Sequence, residues 1–385
     1  MSGDFLYLDY AAATPVDEHV RAVMQPYFSA NFFNPSSPYA PAVQVRREYD
    51  AAKSRLAATF GAKGDELVIT AGATESINLA FHGISGHVVT SAIEHHAVIT
   101  TAQQYNHTFV QPTKQGIITA EAITAALQPA TQLVSIQLAN NEIGTIQPLK
   151  EISLVVAAER ARRALAGETT PLYLHTDASQ GFGHIDVHVA RLGVDMITLN
   201  SGKMYGPKQV GLLWLKPGVT KQPLIFGGGQ ERGLRSGTEN VAGVVGFSEA
   251  AVLATTRRPT EATRLAKLRD TLQATLCQRF PSAVVSGHAK RRLPGTLHIA
   301  FPDLDGERLV FRLEARGVLV ATGSACAANK GTRSHVLEAI GLPAEIADGS
   351  LRITLGRLSD EETMQRAAEI IGDEVAAEYE RVHRD

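Results

Sequence analysis

Leu67-Val-Ile-Thr-Ala-Gly72-Ala-Thr-Glu75 is an apolar, β-branched run that breaks at a glycine and continues in residues that favour helix. Such a run reads as a strand buried on both faces, and a glycine leading into a helix leaves backbone N–H groups free at that helix's N-terminus. The same kind of short run recurs at Val88–Thr90, Leu133–Leu138, Leu172–His175, Met196–Leu199 and Leu212–Leu215. Stretches of helical period lie between them. The clearest is Glu151–Leu165, whose basic residues gather at its C-terminal end. Strands alternating with helices predict an α/β protein with a mostly parallel sheet.

The polar, proline-marked segment Thr255–Glu261 reads as a seam, and an amphipathic stretch follows from Arg264 to Phe280. Beyond it, Thr296–Phe301, Val318–Ala321 and Leu351–Leu355 read as strands, and Ser359 to the end as a charged helix. With 385 residues, the chain exceeds what a single core usually supports. The expected organisation is a large domain over 15–255 and a smaller α+β domain over 256–385, joined by residues 1–14.

Composition excludes several classes. Lys+Arg 37 against Asp+Glu 39 leaves a net charge of −2, so no basic footprint points to nucleic acid. No run approaches the roughly 18 apolar residues of a membrane span, and the first residues lack a basic-then-apolar leader, so the expectation is a cytoplasmic protein off the membrane. Cys277 and Cys326 are too few for a disulfide framework and lack zinc-site spacing, and thirteen histidines show no ligand pattern, so no metal is expected. Gly202-Lys203 is no phosphate-binding P-loop, because position 197 is Ile and Met204 follows the lysine.

Several segments place reactive groups at strand ends, where open parallel sheets bind ligands. Gly72-Ala73-Thr74 suits a phosphate at a helix N-terminus, or is an ordinary turn with Thr74 as the cap. Asp177 follows one buried strand and Lys203 the next; they read as a salt bridge, or as an acid for a pyridinium nitrogen and a Schiff-base lysine. Phosphate cradle, lysine and acid together are what pyridoxal phosphate requires. His95, in Glu94-His95-His96, is placed to stack on a cofactor ring or move protons beside it, or is structural. Cys326 sits among small and polar residues in Ala321–Arg333, with Lys330 and Arg333 nearby to favour its thiolate. Cys277, in Leu272–Cys277, reads as structural.

Read in order, Tyr7–Pro15, Gly72–Ser76, Glu94-His95, Asn140–Gly144, His175–Gln180, Lys203–Pro207, Gly227–Thr238, Gly323–Cys326 and Leu351–Arg357 resemble the cysteine desulfurases of the class V aminotransferase fold, in the group with a long catalytic-cysteine loop. The resemblance implies the type I fold of pyridoxal-phosphate-dependent transferases. It implies conversion of L-cysteine to L-alanine, with the sulfur passed as a persulfide from Cys326 to an acceptor protein in iron–sulfur cluster assembly or tRNA thiolation. By the same resemblance Lys203 carries the cofactor, His95 stacks on its ring and serves as acid/base, Asp177 faces the ring nitrogen and Gln180 the ring hydroxyl. Ala73 and Thr74 hold the phosphate with Thr238 of a second subunit, which implies a homodimer. Asn141 and Arg352 face the substrate carboxylate. One departure concerns the phosphate: the family commonly has Ser-x-His before the lysine, where this chain has Asn200-Ser201-Gly202, so Asn200 and Ser201 are expected to substitute. Another is Asn34-Pro-Ser-Ser-Pro, which lacks the usual histidine-containing continuation. Rival readings are a selenocysteine lyase or another lyase on the same cofactor, and a non-catalytic sulfur-relay scaffold.

Overall fold

A computed structural model of the chain describes residues 5–323 and 333–383. Its strands are β1 (Leu6–Tyr7), β2 (Leu67–Thr70), β3 (His87–Ser91), β4 (Asn106–Val110), β5 (Thr131–Ser135), β6 (Tyr173–Asp177), β7 (Met196–Asn200), β8 (Gly211–Leu215), β9 (Val284–Val285), β10 (Thr296–Ala300), β11 (Val318–Leu319) and β12 (Ser350–Thr354). Seven of them form one sheet in the order β2-β8-β7-β6-β5-β3-β4. The pairings from β7 through β6, β5 and β3 to β4 are parallel, whereas β8 runs antiparallel to both β2 and β7. The sheet is therefore mostly parallel, with β8 reversed. Ten residues, 201–210, join β7 to β8, fewer than a parallel crossover needs, and the chain doubles back there.

β4 has no counterpart among the apolar runs. Its sequence Asn-His-Thr-Phe-Val is largely polar, and only Val110 is buried, because the strand closes one edge of the sheet. The central strands β3, β7 and β8 are buried at nearly every position, which is why their sequences read as continuous apolar runs. Helices Ala40–Ala58 and Leu149–Leu165 pack on one face with Leu56, Ile152 and Val156 in a large core. Helix Ala73–Phe81 covers the other face with Ile77, Leu79 and Phe81.

Residues 255–261 form no loop. They lie inside one helix, Val241–Arg279, with Pro259 within it. Proline removes one helical hydrogen bond at a cost of about 3 kcal/mol. The apolar spacing nevertheless continues on both sides: Val244, Phe247 and Ala251 enter the large core, and Leu265, Leu268, Leu272 and Leu276 enter a second one. Burial at both ends holds the helix through the proline. That second core is built on the antiparallel sheet β12-β10-β9 and helix Glu361–Val382, with the parallel pair β1-β11 beside it. No described helix is long and apolar enough to cross a membrane.

Candidate active site

The strand β2 ends at Thr70, and Gly72, with φ of +150°, turns the chain into helix Ala73–Phe81. Gly72 rather than Thr74 is the N-cap and supplies no side chain. The N–H groups of Ala73 and Thr74 therefore have no helical acceptor. Glu75 fixes the turn: one of its oxygens accepts from Ala71 N at 2.7 Å and the other pairs with Arg235 at 2.9 Å. Gly211 lies so close to Gly72 that a Cβ there would stand 2.7 Å from its backbone. The turn opens on a recess of about 720 Å³ lined by Ala73, Thr74, Asn200, Gly202, Lys203 and Lys208.

Asn200 ends β7 and accepts from Gly202 N at 3.1 Å, which shapes the short 3-10 turn carrying Lys203. Ser201 does not join it in the recess; its buried hydroxyl has no partner among the described residues and faces Gly206. Of the two expected substitutes for the phosphate-holding pair, only Asn200 lines the recess. Thr238 is exposed and is not among the residues lining the recess of its own chain.

Lys203 Nζ donates to the carbonyls of Ala11 and Ala12 at 2.8 and 2.6 Å, and Gln180 Nε2 donates to Ala11 O at 3.0 Å. The turn after β1 thus brings Lys203 and Gln180 together. Asp177 closes β6, with one oxygen accepting from Ser179 N at 2.9 Å. His95 caps helix His96–Ala102; its Nδ1 accepts from Ala97 N at 3.0 Å, so in the neutral ring the proton sits on Nε2. Burial lowers the His95 pKa, and Lys203 and His335 lower it further against the pull of Asp177 and Glu142. These interactions place His95, Asp177 and Lys203 in one electrostatic neighbourhood. Beneath them Glu94 is fully enclosed, and burial pushes its pKa up to about 8 despite hydrogen bonds from Ser91 and Gln137.

Arg352, 2% exposed on β12, donates from Nη2 to Asp9 at 2.6 Å and from Nη1 to Asn141 O at 3.3 Å. Asp9 heads the same turn that meets Lys203, and Thr354 on β12 accepts from Ala11 N at 3.0 Å. Cys326 lies outside the described residues. Gly323 and Ser334, on either side of that stretch, both approach Glu142: Ser334 Oγ donates to it at 2.5 Å, and a Cβ on Gly323 would stand 3.3 Å away.

The family model for class V aminotransferases matches residues 6–366. The chain belongs to the class V aminotransferase family. Cysteine desulfurase IscS 1 of Archaeoglobus fulgidus is 40% identical over 377 residues, which are 95% of each chain. Cysteine desulfurase IscS of Dictyoglomus turgidum is 37% identical over 95% of this chain and 93% of its own. Among solved structures, a NifS-like protein superposes with a TM-score of 0.87 at 31% identity, covering 97% of this chain and 99% of that one. SspA in complex with cysteine superposes with a TM-score of 0.78 at 33% identity, covering 91% and 98%. Family membership accounts for the type I fold seen here.

Sequence reading passed over Asp9, Lys208, Glu75 and Glu142. Lys208 carries a visible signal, a second cation five residues beyond Lys203, and its Nζ donates to Thr14 O at 3.1 Å beside the recess. Asp9 and Glu142 carry no local signal, because their partners lie 343 and 192 residues away.

Proposed function

We propose that the chain is a pyridoxal-phosphate-dependent cysteine desulfurase that converts L-cysteine to L-alanine and hands the sulfur, as a persulfide on Cys326, to an acceptor protein. The observation that carries the reading is the recess itself: Lys203, the helix N-terminus at Ala73–Thr74 and the cation of Lys208 enclose one space, in a chain whose curated relatives are named cysteine desulfurases along nearly its whole length. The solved neighbour with bound cysteine favours the same substrate.

The residues present fit the cofactor. Free N–H groups and a helix dipole suit a phosphate, with Asn200 and Lys208 beside them. Asp177 suits a protonated ring nitrogen, Gln180 a ring hydroxyl and His95 the ring face. When bound, pyridoxal phosphate withdraws electrons from the substrate α-carbon. Lys203, set against the carbonyls of Ala11 and Ala12, accepts and returns the α-proton. Arg352 grips the carboxylate with the Asn141 turn beside it. His95 stays neutral at pH 7 and offers its Nε2–H as a hydrogen-bond donor to the reacting group. The Cys326 thiolate attacks the substrate sulfur; the S–S bond forms as the Cβ–S bond breaks, and the carbon keeps the electron pair and takes a proton to give alanine.

The working unit is a homodimer in which Thr238 completes the phosphate site of the second subunit. Ile225 and Phe226, 38% and 79% exposed in the same segment, are the apolar surface such a partner covers. The acceptor is a protein of iron–sulfur assembly or tRNA thiolation. The test is the absorbance of purified protein incubated with pyridoxal phosphate, followed by product analysis with L-cysteine and with L-selenocysteine. A yellow protein that releases alanine and sulfide supports the reading. A protein that stays colourless supports the scaffold, and one that turns over only selenocysteine supports the lyase.

A further inference from the structure

Three buried polar residues line up across the small sheet with side-chain atoms that have no hydrogen-bond partner among the described residues: Ser286 Oγ, Nδ1 and Nε2 of His298, and Nε of Arg352. The register makes this a row. His298 on β10 pairs with Arg352 on β12, and Ser286, just past β9, donates its N–H to His298 O at 3.1 Å. Leu355 N donates to Gly295 O at 2.8 Å, so the odd-numbered residues of β10 make the ladder bonds to β12. His298 and Arg352 are therefore a non-hydrogen-bonded pair, the kind in which opposite side chains stand closest. They share a face with Thr296 and Thr354, which line a small cavity with Lys203 and Gln180. The Asn140–Thr145 turn roofs that face: Asn141 O accepts from Arg352, and a Cβ on Gly144 would stand 2.8 Å from Thr296. An enclosed histidine without partners is costly unless it serves a neighbour.

We propose that His298 is a positioning residue for Arg352, accepting from its Nε through one buried water and so fixing the plane in which the guanidinium meets the substrate carboxylate. Nε is the nitrogen nearest the sheet, whereas the two terminal nitrogens reach Asp9 and the Asn141 turn. An acceptor at Nε leaves those outer nitrogens to the substrate side. Burial first and Arg352 second bring the His298 pKa down to about 4, so the imidazole is neutral and keeps a lone pair to offer. Ser286 lies on the other side of β10 from Arg352, its hydroxyl likewise without a partner among the described residues.

The inference rests on the desulfurase reading, because Arg352 must take a carboxylate for its plane to matter. The test compares His298→Leu with His298→Gln, which keeps an acceptor, in cofactor-loaded protein. Two readouts are used: KM and kcat for L-cysteine, and calorimetric titration with L-alanine, which binds through the same carboxylate without releasing sulfide. In His298→Leu, KM and the L-alanine dissociation constant are expected to rise about tenfold, with kcat changed less than about twofold. His298→Gln is expected to recover most of the affinity. If His298→Leu does not fold, His298→Ala takes its place, with added imidazole expected to restore L-alanine binding. Equal L-alanine affinity in wild type, His298→Leu and His298→Gln would overturn the inference while leaving the desulfurase reading intact. So would equal losses in both variants, which mark a packing role. Wild-type protein that neither binds L-alanine nor releases products would overturn both.

Discussion

Replacing Arg352 with lysine separates charge from geometry at the proposed substrate end of the site. The arginine is buried, with Nη2 on Asp9 at 2.6 Å and Nη1 on Asn141 O at 3.3 Å. Lysine keeps the positive charge, so Asp9 retains a cation and the fold keeps its ion pair. One ammonium cannot reach Asp9, Asn141 O and a carboxylate in the fork geometry that a guanidinium offers. The loss is about one hydrogen bond to a charged group, about 1.5–3 kcal/mol. That corresponds to a fall in kcat/KM of about 10- to 150-fold. Carboxylate binding is shared by ground and transition states, so most of the fall should appear in KM, with kcat within about threefold of wild type. Initial rates of alanine formation across a wide range of L-cysteine concentrations read both constants, and thermal unfolding checks that the variant is folded. A KM unchanged in a folded variant would refute the assignment, as would a collapse of kcat at constant KM, which would move Arg352 from binding to chemistry.

Glu231 accepts from Tyr49 Oη at 2.5 Å, Lys53 Nζ at 2.8 Å and Ile69 N at 2.7 Å, tying the Thr238 segment to β2. Glu231→Ala leaves the buried Lys53 ammonium unpaired and should cost about 3–5 kcal/mol in urea unfolding; a cost below about 1 kcal/mol would contradict that. Glu94, raised from an ordinary carboxyl value to about 8 by burial, favours its protonated form in the fold. Its contribution to stability is complete below its unfolded pKa near 4.5 and fades as pH rises towards 8. Glu94→Gln should therefore gain stability over wild type between pH 5 and pH 8, and a gap that does not widen with pH would count against this. Burial and Lys203 hold His95 below the ordinary histidine value of about 6.5. The acid limb of kcat/KM should lie below that pH and vanish in His95→Gln; a limb that persists in the variant belongs to another group.

Where several candidate residues sit could be read before the fold was known, and the reason is physical. Ala73, Thr74, Asp177, Asn200 and Lys203 are set by strand ends, and a strand end is announced by the apolar run before it. Lys203 and Gln180 meet because both reach the Ala11 carbonyl, a contact across 192 and 169 residues that no local pattern encodes. Asp9 and His298 were invisible for the same cause: each takes its meaning from Arg352 across a sheet register. Pro259 does not end a helix there, because the apolar residues on both sides of it enter two cores and hold one helix through it. β4 escaped notice because an edge strand needs no continuous apolar run. Ser201, offered as a phosphate ligand by its place before the lysine, turns into the protein beside Gly206, a direction set by the 3-10 turn.

The most direct measurement is the release of alanine and sulfide from L-cysteine by the purified, cofactor-loaded protein with a reductant, run beside Cys326→Ala and Lys203→Ala. Equal amounts of both products from the wild type, lost in either variant, are expected if Lys203 handles the α-proton and Cys326 takes the sulfur. Undiminished release from Cys326→Ala would contradict sulfur transfer through that thiol, and undiminished release from Lys203→Ala would contradict the assignment of the recess as the catalytic centre.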